Sequence, residues 1–279
     1  MRVIRDLAAL RAATAACRMQ GQRLALVPTM GALHDGHLAL VTEARRHAEA
    51  VIVSIFVNPL QFLPTEDLDR YPRDEDGDLR KLESLGTDLV WMPGVPTMYP
   101  PGAATTIEVT GPAQGFEGTA RPGHFRGVAT VCTKLFSQTG ADVAVFGEKD
   151  WQQLQVVKRV VADLDLPIRI IPHETVREAD GLALSSRNIR LSPSERALAP
   201  LLPKLMRESL DRIAAGAPAD PVLSDAQDQL RAAGFAPDYL ALVEPETLAP
   251  WQSGPGRLLA AARLGDVRLL DNMPLTTGG

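Results

Sequence analysis

The chain has 279 residues, of which 45% are hydrophobic and 23% charged, and these proportions argue against a disordered or collagen-like protein. Its formal net charge of −5 disfavours a cationic surface for nucleic acid. The two cysteines, Cys17 and Cys132, lie far apart, so neither a disulfide scaffold nor a thiolate zinc site is expected.

The N-terminal residues carry charges among their apolar positions and offer no uninterrupted apolar stretch for a signal peptide. No window of the sequence approaches the roughly 20 apolar residues that a bilayer-spanning helix needs. We therefore expect a cytoplasmic protein that binds neither a membrane nor nucleic acid.

The first half of the chain alternates apolar runs with helical patterns. LALVPT, HLALVTEARRHAEA and VIVSIFVNP predict strand, helix and strand, a βαβ unit with a right-handed crossover. The alternation continues with predicted helices in DLRKLESLG, HFRGVATVCTKLFSQ and QQLQVVKRVVADL, and predicted strands in DLVWMP, TTIEVTG, ADVAVFG and PIRIIPHETV. Five or so strands alternating with helices indicate a doubly wound, Rossmann-like parallel sheet.

The pattern changes after residue 180. Two helical segments, roughly 194–215 and 221–233, precede the apolar runs YLALVEP, RLLAAARLG and VRLLDN, with Gly265-Asp266 as a turn signal. We expect a Rossmann-like domain over residues 1–176, followed by a smaller α+β domain with an antiparallel sheet over residues 177–279.

The most informative segment is PTMGALHDGHLALV, which lies between the first predicted strand of the βαβ unit and its helix. Ligands of open α/β sheets collect at the carboxyl ends of strands, and the N–H groups of the next helix attract anions. Gly31 and Gly36 let the backbone approach a ligand, and His34 and His37 can donate to phosphate oxygens.

Two other interpretations of these histidines compete with phosphate binding. Loop histidines are often only solvated polar residues. Zinc binding is disfavoured because the spacing is not that of His-Glu-x-x-His and no third ligand is evident nearby.

Neither a P-loop nor a Gly-x-Gly-x-x-Gly fingerprint occurs in the sequence. The string His-x-Gly-His resembles the signature of the nucleotidylyltransferase superfamily, which acts at the α-phosphate of ATP.

Four further strings narrow the choice of protein family: FVNPLQF, RPGHFRGVATV, FGEKDWQQL and DGLALSSRN. Together with VPTMGALHDGH, and in this order, they resemble the pantothenate synthetase (pantoate–β-alanine ligase) family from roughly Val3 to Asn272. Trp151 departs mildly from the family, whose members commonly have a smaller ring there. The resemblance implies an enzyme, an AMP-forming ligase that adenylates pantoate with Mg²⁺ and ATP and passes the pantoyl group to β-alanine.

The resemblance also assigns roles to matching positions. His37, as a proton donor, and His34, Lys149 and Arg187 are the catalytic candidates. Gln61 and Gln153 match pantoate-binding glutamines, and an amide suits a substrate with hydroxyls and a carboxylate. The implied ATP-binding residues are Met30, Gly31, Ala32, Leu33, His34, Asp35, Gly36, His37, Gly147, Glu148, Lys149, Asp150, Val176, Leu184, Ser185, Ser186 and Arg187.

Several residues near these strings stay ambiguous. SSRN alone would be taken for a helix-capping loop. The acidic segment from Asp67 to Asp78 could contact magnesium or the β-alanine ammonium, but we expect a solvated loop, and we name no metal ligands. His124 and Arg126 are expected to support the site without a catalytic step, while His47 and His173 are expected to be structural or solvated.

The resemblance further implies a homodimer and a C-terminal domain that closes over the site. Two other functions remain open at this point. One is a nucleotidylyltransferase that moves AMP onto a phosphorylated acceptor, against which the two glutamines and SSRN argue. The other is a nucleotide-sensing module without turnover.

Overall fold

The computed structural model describes residues 1–63, 68 and 71–276. Within them, six strands form one parallel sheet in the order β1-β4-β3-β2-β5-β6. The strands are β1 Arg2–Ile4, β2 Leu24–Thr29, β3 Ala50–Ile55, β4 Leu89–Trp91, β5 Val143–Gly147 and β6 Arg169–His173. The strand order reverses at β2, with β3 on one side and β5 on the other, so a ligand crevice is expected at the carboxyl end of β2.

The helices of this part are α1 Leu7–Met19, α2 Asp35–His47, α3 Glu75–Ser84, α4 Val95–Met98, α5 Phe116–Ala120, α6 His124–Thr139 and α7 Trp151–Asp163. The apolar face of α2 buries Leu40, Val41 and Ala44. The same core cluster contains Val27 of β2 and Val53 of β3, both fully buried. Burial on both faces explains why these strands are continuous apolar runs.

The Rossmann-like parallel sheet is confirmed, with two differences in detail. TTIEVTG forms no strand; its backbone is held instead by a side chain, because Ile107 N donates to Thr130 Oγ1 over 2.9 Å. An additional strand, β1, and helix, α1, precede the βαβ unit. Strand β1 pairs with β4 through only three residues, too short a run to stand out by composition.

The C-terminal part contains α8 Pro193–Leu198, α9 Leu201–Ala214 and α10 Ala219–Ala232, followed by an antiparallel sheet in the order β7-β8-β9. These strands are β7 Ala236–Val243, β8 Gly256–Leu264 and β9 Val267–Leu275. The single helix expected over 194–215 is divided in two at Pro200, whose ring nitrogen cannot donate a helical hydrogen bond. The α+β C-terminal part is otherwise as expected.

The chain divides into two compact units. Unit 1 comprises Met1–Gly147 and Gln152–Glu174, and unit 2 comprises Glu148–Trp151 and Thr175–Gly279. The expected domain boundary between residues 176 and 177 stays a prediction, but the short segment Glu148–Trp151 groups with the C-terminal residues. None of the described helices combines the length and apolar character needed to cross a membrane.

Candidate active site

The turn that follows β2 is held in an uncommon backbone conformation. Gly31 has φ +81° and Ala32 φ +50°, both in the left-handed region that favours glycine. A Cβ on Gly31 would lie 3.1 Å from Asp78 Oδ2 and 3.2 Å from Ile55 Cγ2. Close packing and positive φ together explain why glycine occupies this position.

Helix α3 fixes the same turn from the side. Asp78 accepts hydrogen bonds from Ala32 N over 2.8 Å and from Leu33 N over 2.7 Å, one on each carboxylate oxygen. Lys81, one helical turn later, donates to Leu33 O over 2.6 Å. The N–H and C=O groups of the turn are thus bound by two charged side chains of one helix.

The expectation of a solvated acidic loop is therefore wrong for Asp78, which is 1% exposed. Asp67 and Asp69, in the same acidic segment, lie outside the described residues. Burial raises the pKa of the Asp78 carboxyl, while the N–H groups of Leu33 and Ala32 and the charge of Lys81 act in the opposite direction. The carboxylate supports the turn.

The two histidines meet at the N-terminus of α2. His34 is the N-cap residue, and its ring centroid lies 4.1 Å from that of His37, in the first turn of the helix. His34 N donates to His37 Nδ1 over 3.3 Å. A neutral His37 that accepts at Nδ1 carries its proton on Nε2, so the ring can act as a donor. The first-turn N–H groups of Asp35 and Gly36 add an anion-attracting helix end.

Gln61 lies beside Met30 in a network of buried amides. Its Nε2 lies 3.4 Å from Met30 Sδ, and its Oε1 accepts from Asn58 Nδ2 over 3.0 Å. Asn58, 1% exposed, also donates to Gly127 O and accepts from Tyr99. Asn58 belongs to the string FVNPLQF, which by itself predicts no role for it, and its hydrogen bond orients the pantoate candidate Gln61.

The backbone of Gln61 is fixed by α6 and the residues before it. His124, 7% exposed, places Nδ1 2.9 Å from Gln61 O, and Arg121 donates to the same oxygen over 3.2 Å. A Cβ on Gly127 would lie 2.3 Å from Leu60 O, so glycine permits this close approach. His124 thus contacts the backbone of the pantoate candidate Gln61, and its support of the site stays a prediction. Arg126 instead lies 3.9 Å from Glu108 in a largely exposed pair, and the second support is Arg121.

The adjacent glutamines at the start of α7 have different surroundings. Gln153 is half-buried, whereas Gln152 is 5% exposed. The Gln152 amide donates to the carbonyls of Pro112, Gln114 and Gly115 and accepts from Glu117 N. Gln152 is therefore committed to supporting the loop before α5, and Gln153 is left as the candidate for substrate.

Gly147, the last residue of β5, belongs to unit 1, and the remaining ATP candidates belong to unit 2. Lys149 and Ser185 line one cavity together with Asn188 and Asp271. Lys149 Nζ lies 3.8 Å from Asp150 Oδ1, and its side chain is 21% exposed. An ammonium group and a hydroxyl therefore line the same cavity, and the assignment of both residues to ATP stays a prediction.

The loop that carries Val176 and Ser185 folds back on itself. Leu184 N donates to Val176 O over 3.0 Å, and Arg187 N donates to Ser185 Oγ over 3.2 Å. Ser186 and Arg187 are half-buried in the same turn. The capping of α8 is done by Ser192, whose hydroxyl accepts from Glu195 N, so SSRN is not the cap of that helix.

His47 pairs with Glu43 over 2.9 Å, and His173 lies 2.9 Å from Glu174 O, in line with structural or solvated roles. The part of the chain that the structure describes contains no group of three or more His, Cys, Asp or Glu side chains able to hold a metal ion. Unit 1 thus brings together the turn, both histidines and Met30 with Gln61, and unit 2 brings together Lys149 and Ser185.

Comparisons with known proteins agree on one family. The model of the family described as pantoate-beta-alanine ligase matches residues 2–274. The pantothenate synthetase of Rhizorhabdus wittichii is 53% identical over 276 residues, 98% of each chain, and that of Acidiphilium cryptum is 53% identical over 98% of this chain and 99% of its own.

Similarity to solved structures indicates the same family. The crystal structure of pantothenate synthetase from Thermus thermophilus superposes with a TM-score of 0.92 at 47% identity, covering 99% of this chain and all of the other. A Francisella tularensis pantoate-beta-alanine ligase, complexed with beta-gamma ATP and beta-alanine, gives 0.86 at 32% identity over 100% and 99% of the two chains. The chain therefore belongs to the pantoate-beta-alanine ligase family.

Proposed function

We propose that this ligase joins D-pantoate to β-alanine in two steps at the expense of ATP, and that the residues assembled above carry the reaction. The observation that carries the assignment of the site is the pair His34 and His37 at the N-terminus of α2. They follow Met30, which lies against Gln61, so the candidate nucleotide and pantoate residues adjoin within unit 1.

In the first step, a pantoate carboxylate oxygen attacks the α-phosphorus of ATP and the bond to the β-phosphate breaks. The products are pantoyl adenylate and pyrophosphate. The helix end and His37 Nε2 would donate to oxygens on which charge accumulates, and Lys149 and Arg187 would neutralise the departing pyrophosphate. Catalysis would then rest on positioning and charge stabilisation, as in phosphoryl transfer generally.

In the second step, the amine of β-alanine attacks the acyl carbon, the bond to the phosphate oxygen breaks, and AMP leaves. Gln61 and Gln153 would hold the pantoyl hydroxyls through both steps, since an amide both donates and accepts. No covalent enzyme intermediate is needed. Cys132 is not suited to form one, because burial raises the pKa of its thiol to about 12.

Magnesium would arrive with ATP, because Mg²⁺ commonly binds substrate phosphates and water with few protein ligands. We therefore assign no protein ligand and no step to the ion.

A homodimer and closure of unit 2 stay predictions of the family resemblance. Light scattering on the purified chain checks the first, with twice the chain mass expected.

One assay tests the proposed function. The protein is incubated with Mg²⁺, ATP and D-pantoate, with and without β-alanine, and AMP and pyrophosphate are measured. We expect sustained release of both only when the amine is present. A nucleotidylyltransferase with another acceptor would give no AMP here, and a nucleotide sensor would give no product at all.

A further inference from the structure

The backbone of Lys149 is held by a side chain from the far end of the chain. Asn272, on β9 and 3% exposed, uses its amide Nδ2 to donate to Glu148 O and to Lys149 O, each over 2.8 Å. These carbonyls belong to the two peptide planes that flank the Cα of Lys149. One carboxamide therefore fixes the direction in which the lysine side chain leaves the backbone.

The carboxamide is itself held in one orientation. Asn272 Oδ1 accepts from Arg257 Nε over 2.7 Å, and Arg257 Nη2 donates to Glu148 Oε2 over 2.8 Å. The Trp151 ring lies 3.7 Å from Arg257 Cζ, and its Nε1 donates to Pro245 O. Burial lowers the pKa of Arg257, which is 7% exposed, and the Glu148 carboxylate opposes this shift. A buried cation between a carboxylate and an indole ring thus sets the amide.

The residue before Asn272 holds the other ATP candidate segment of unit 2. Asp271, also 3% exposed, accepts two hydrogen bonds from Arg177, over 2.7 and 2.8 Å. Arg177 directly follows Val176, whose carbonyl pairs with Leu184 N. Two neighbouring residues of one strand therefore anchor both segments.

We propose that Asn272 is a positioning residue for the adenylation step, because it fixes Lys149 against the segment that Asp271 anchors through Arg177. The proposal rests on the proposed function, in which Lys149 binds an ATP phosphate. Asn272 touches no reactant; it acts only through the lysine.

The test uses Asn272→Asp in the full-length protein. The substitution keeps the shape of the side chain and its contact with Arg257, but it replaces both N–H donors with an oxygen that faces two carbonyl oxygens. We expect kcat/KM for ATP to fall about 10- to 10²-fold, since a misplacement of about 1 Å costs on this order. The KM for D-pantoate should stay within about twofold of that of the parent, because the proposal gives Asn272 a part in placing Lys149 and none in binding pantoate.

Lys149→Met and the double variant Lys149→Met/Asn272→Asp show whether Asn272→Asp lowers kcat/KM through Lys149 or independently of it. In the Lys149→Met background, Asn272→Asp should cost little more, because residues that act through one another are not additive. An equal loss in both backgrounds would overturn the proposal. So would an unchanged kcat/KM for Asn272→Asp beside an inactive Lys149→Met, and in that case the proposed function would stand. A fully active Lys149→Met would remove the lysine from the mechanism and the proposal with it.

Val222→Ala controls for stability. Val222, 1% exposed, belongs to the apolar core of unit 2 and lies on α10, outside both ATP candidate segments. It should lower the urea midpoint while keeping kcat/KM. Asn272→Ala serves as a second variant if the aspartate does not fold, and it should lower kcat/KM for ATP in the same direction. A loss of activity in Val222→Ala equal to that in the Asn272 variant would overturn the positioning role.

Discussion

The two turns whose residues are ATP candidates, Met30–His37 in unit 1 and Glu148–Asp150 in unit 2, are held in different ways. The first is braced by charged groups of the nearby helix α3, with Asp78 on its N–H groups and Lys81 on a carbonyl. The second is braced by the amide of Asn272 on its carbonyls, from a residue 123 positions beyond Lys149. In the first turn the support thus binds both kinds of backbone group, whereas in the second it binds carbonyls.

The two turns therefore differ in the groups that would contact ATP and in what each support has to hold in place. In the proposed mechanism, the helix end and the histidines of unit 1 would supply fixed donors, and the support would keep the turn in its left-handed conformation. In unit 2 the donor is a flexible lysine, so its support must fix the point from which the side chain starts. Substitutions in the first turn should therefore act on rate, and those in the second on the placement of ATP.

The largest effect is expected from His37→Ala. Loss of one donor at a developing phosphoryl charge should lower the single-turnover adenylation rate by about 10²–10³-fold. Quenched-flow measurement of pyrophosphate release checks this. His47→Ala, at the other end of the same helix, is the matched control and should keep the rate. Equal rates for His37→Ala and the parent would remove this histidine from the mechanism.

Asp78→Asn tests whether the first turn depends on its carboxylate. One of the two N–H groups, of Ala32 or Leu33, would face an amide N–H instead of an acceptor, at a cost of about 1–3 kcal/mol in unfolding free energy. The relaxed turn should also lower kcat for adenylation about tenfold. Urea unfolding and single-turnover kinetics measure the two effects.

Asp76→Asn is the control for Asp78, because Asp76 is exposed on the same helix. It should change the unfolding free energy by no more than about 0.5 kcal/mol, and kcat for adenylation by no more than the equivalent factor. If Asp78→Asn behaves like Asp76→Asn, the turn keeps its conformation without the carboxylate and the contrast between the two turns is lost.

A smaller effect separates the adjacent glutamines of α7. Gln153→Ala should raise the KM for D-pantoate by up to about tenfold, since a hydrogen bond between neutral groups contributes roughly 0.5–1.5 kcal/mol. ATP affinity, measured by calorimetry, should stay near that of the parent. Gln152→Ala should instead lower stability, because three carbonyls of residues 112–115 lose their donor. The reverse result for the two variants would contradict both assignments.

The sequence predicted the frame of the fold well, for a physical reason. Strands such as β2 and β3 are buried on both faces, so their apolar runs are unambiguous. TTIEVTG has the composition of a strand but is held by Thr130 instead, and propensity alone does not reveal such a partner. The division at Pro200 has a local cause, because the proline nitrogen cannot donate the helical hydrogen bond.

The site was predictable where its signal is local. Gly31, His34 and His37 occupy one turn, and the structure brings the two histidines together. The supporting residues Asp78, Arg121 and Asn272 have no such signal, because their partners lie 45 to 124 positions away. A buried charged or amide side chain is identified as a support only when the fold shows which backbone groups it meets.

The smallest expected effect concerns the exposed side of the loop that carries Ser185 in unit 2. Arg196 pairs with Glu178 and with Asp180, and its hydrogen bond to Asp180 holds the pKa of that carboxyl below its ordinary value of 3.8. Because the pKa is lower in the folded protein, the stabilisation is present above about pH 4 and is lost as the pH falls through the folded pKa. The side chains are partly exposed, so Arg196→Met should cost less than about 1 kcal/mol at pH 7, and less again at pH 2. Urea unfolding at the two pH values measures this, with Arg231→Met, which loses a more exposed pair with Asp228, as control. If the difference in unfolding free energy between Arg196→Met and the parent is the same at pH 2 as at pH 7, Arg196 acts through packing. The loop would then resemble the segment at Lys149 in not depending on surface charge.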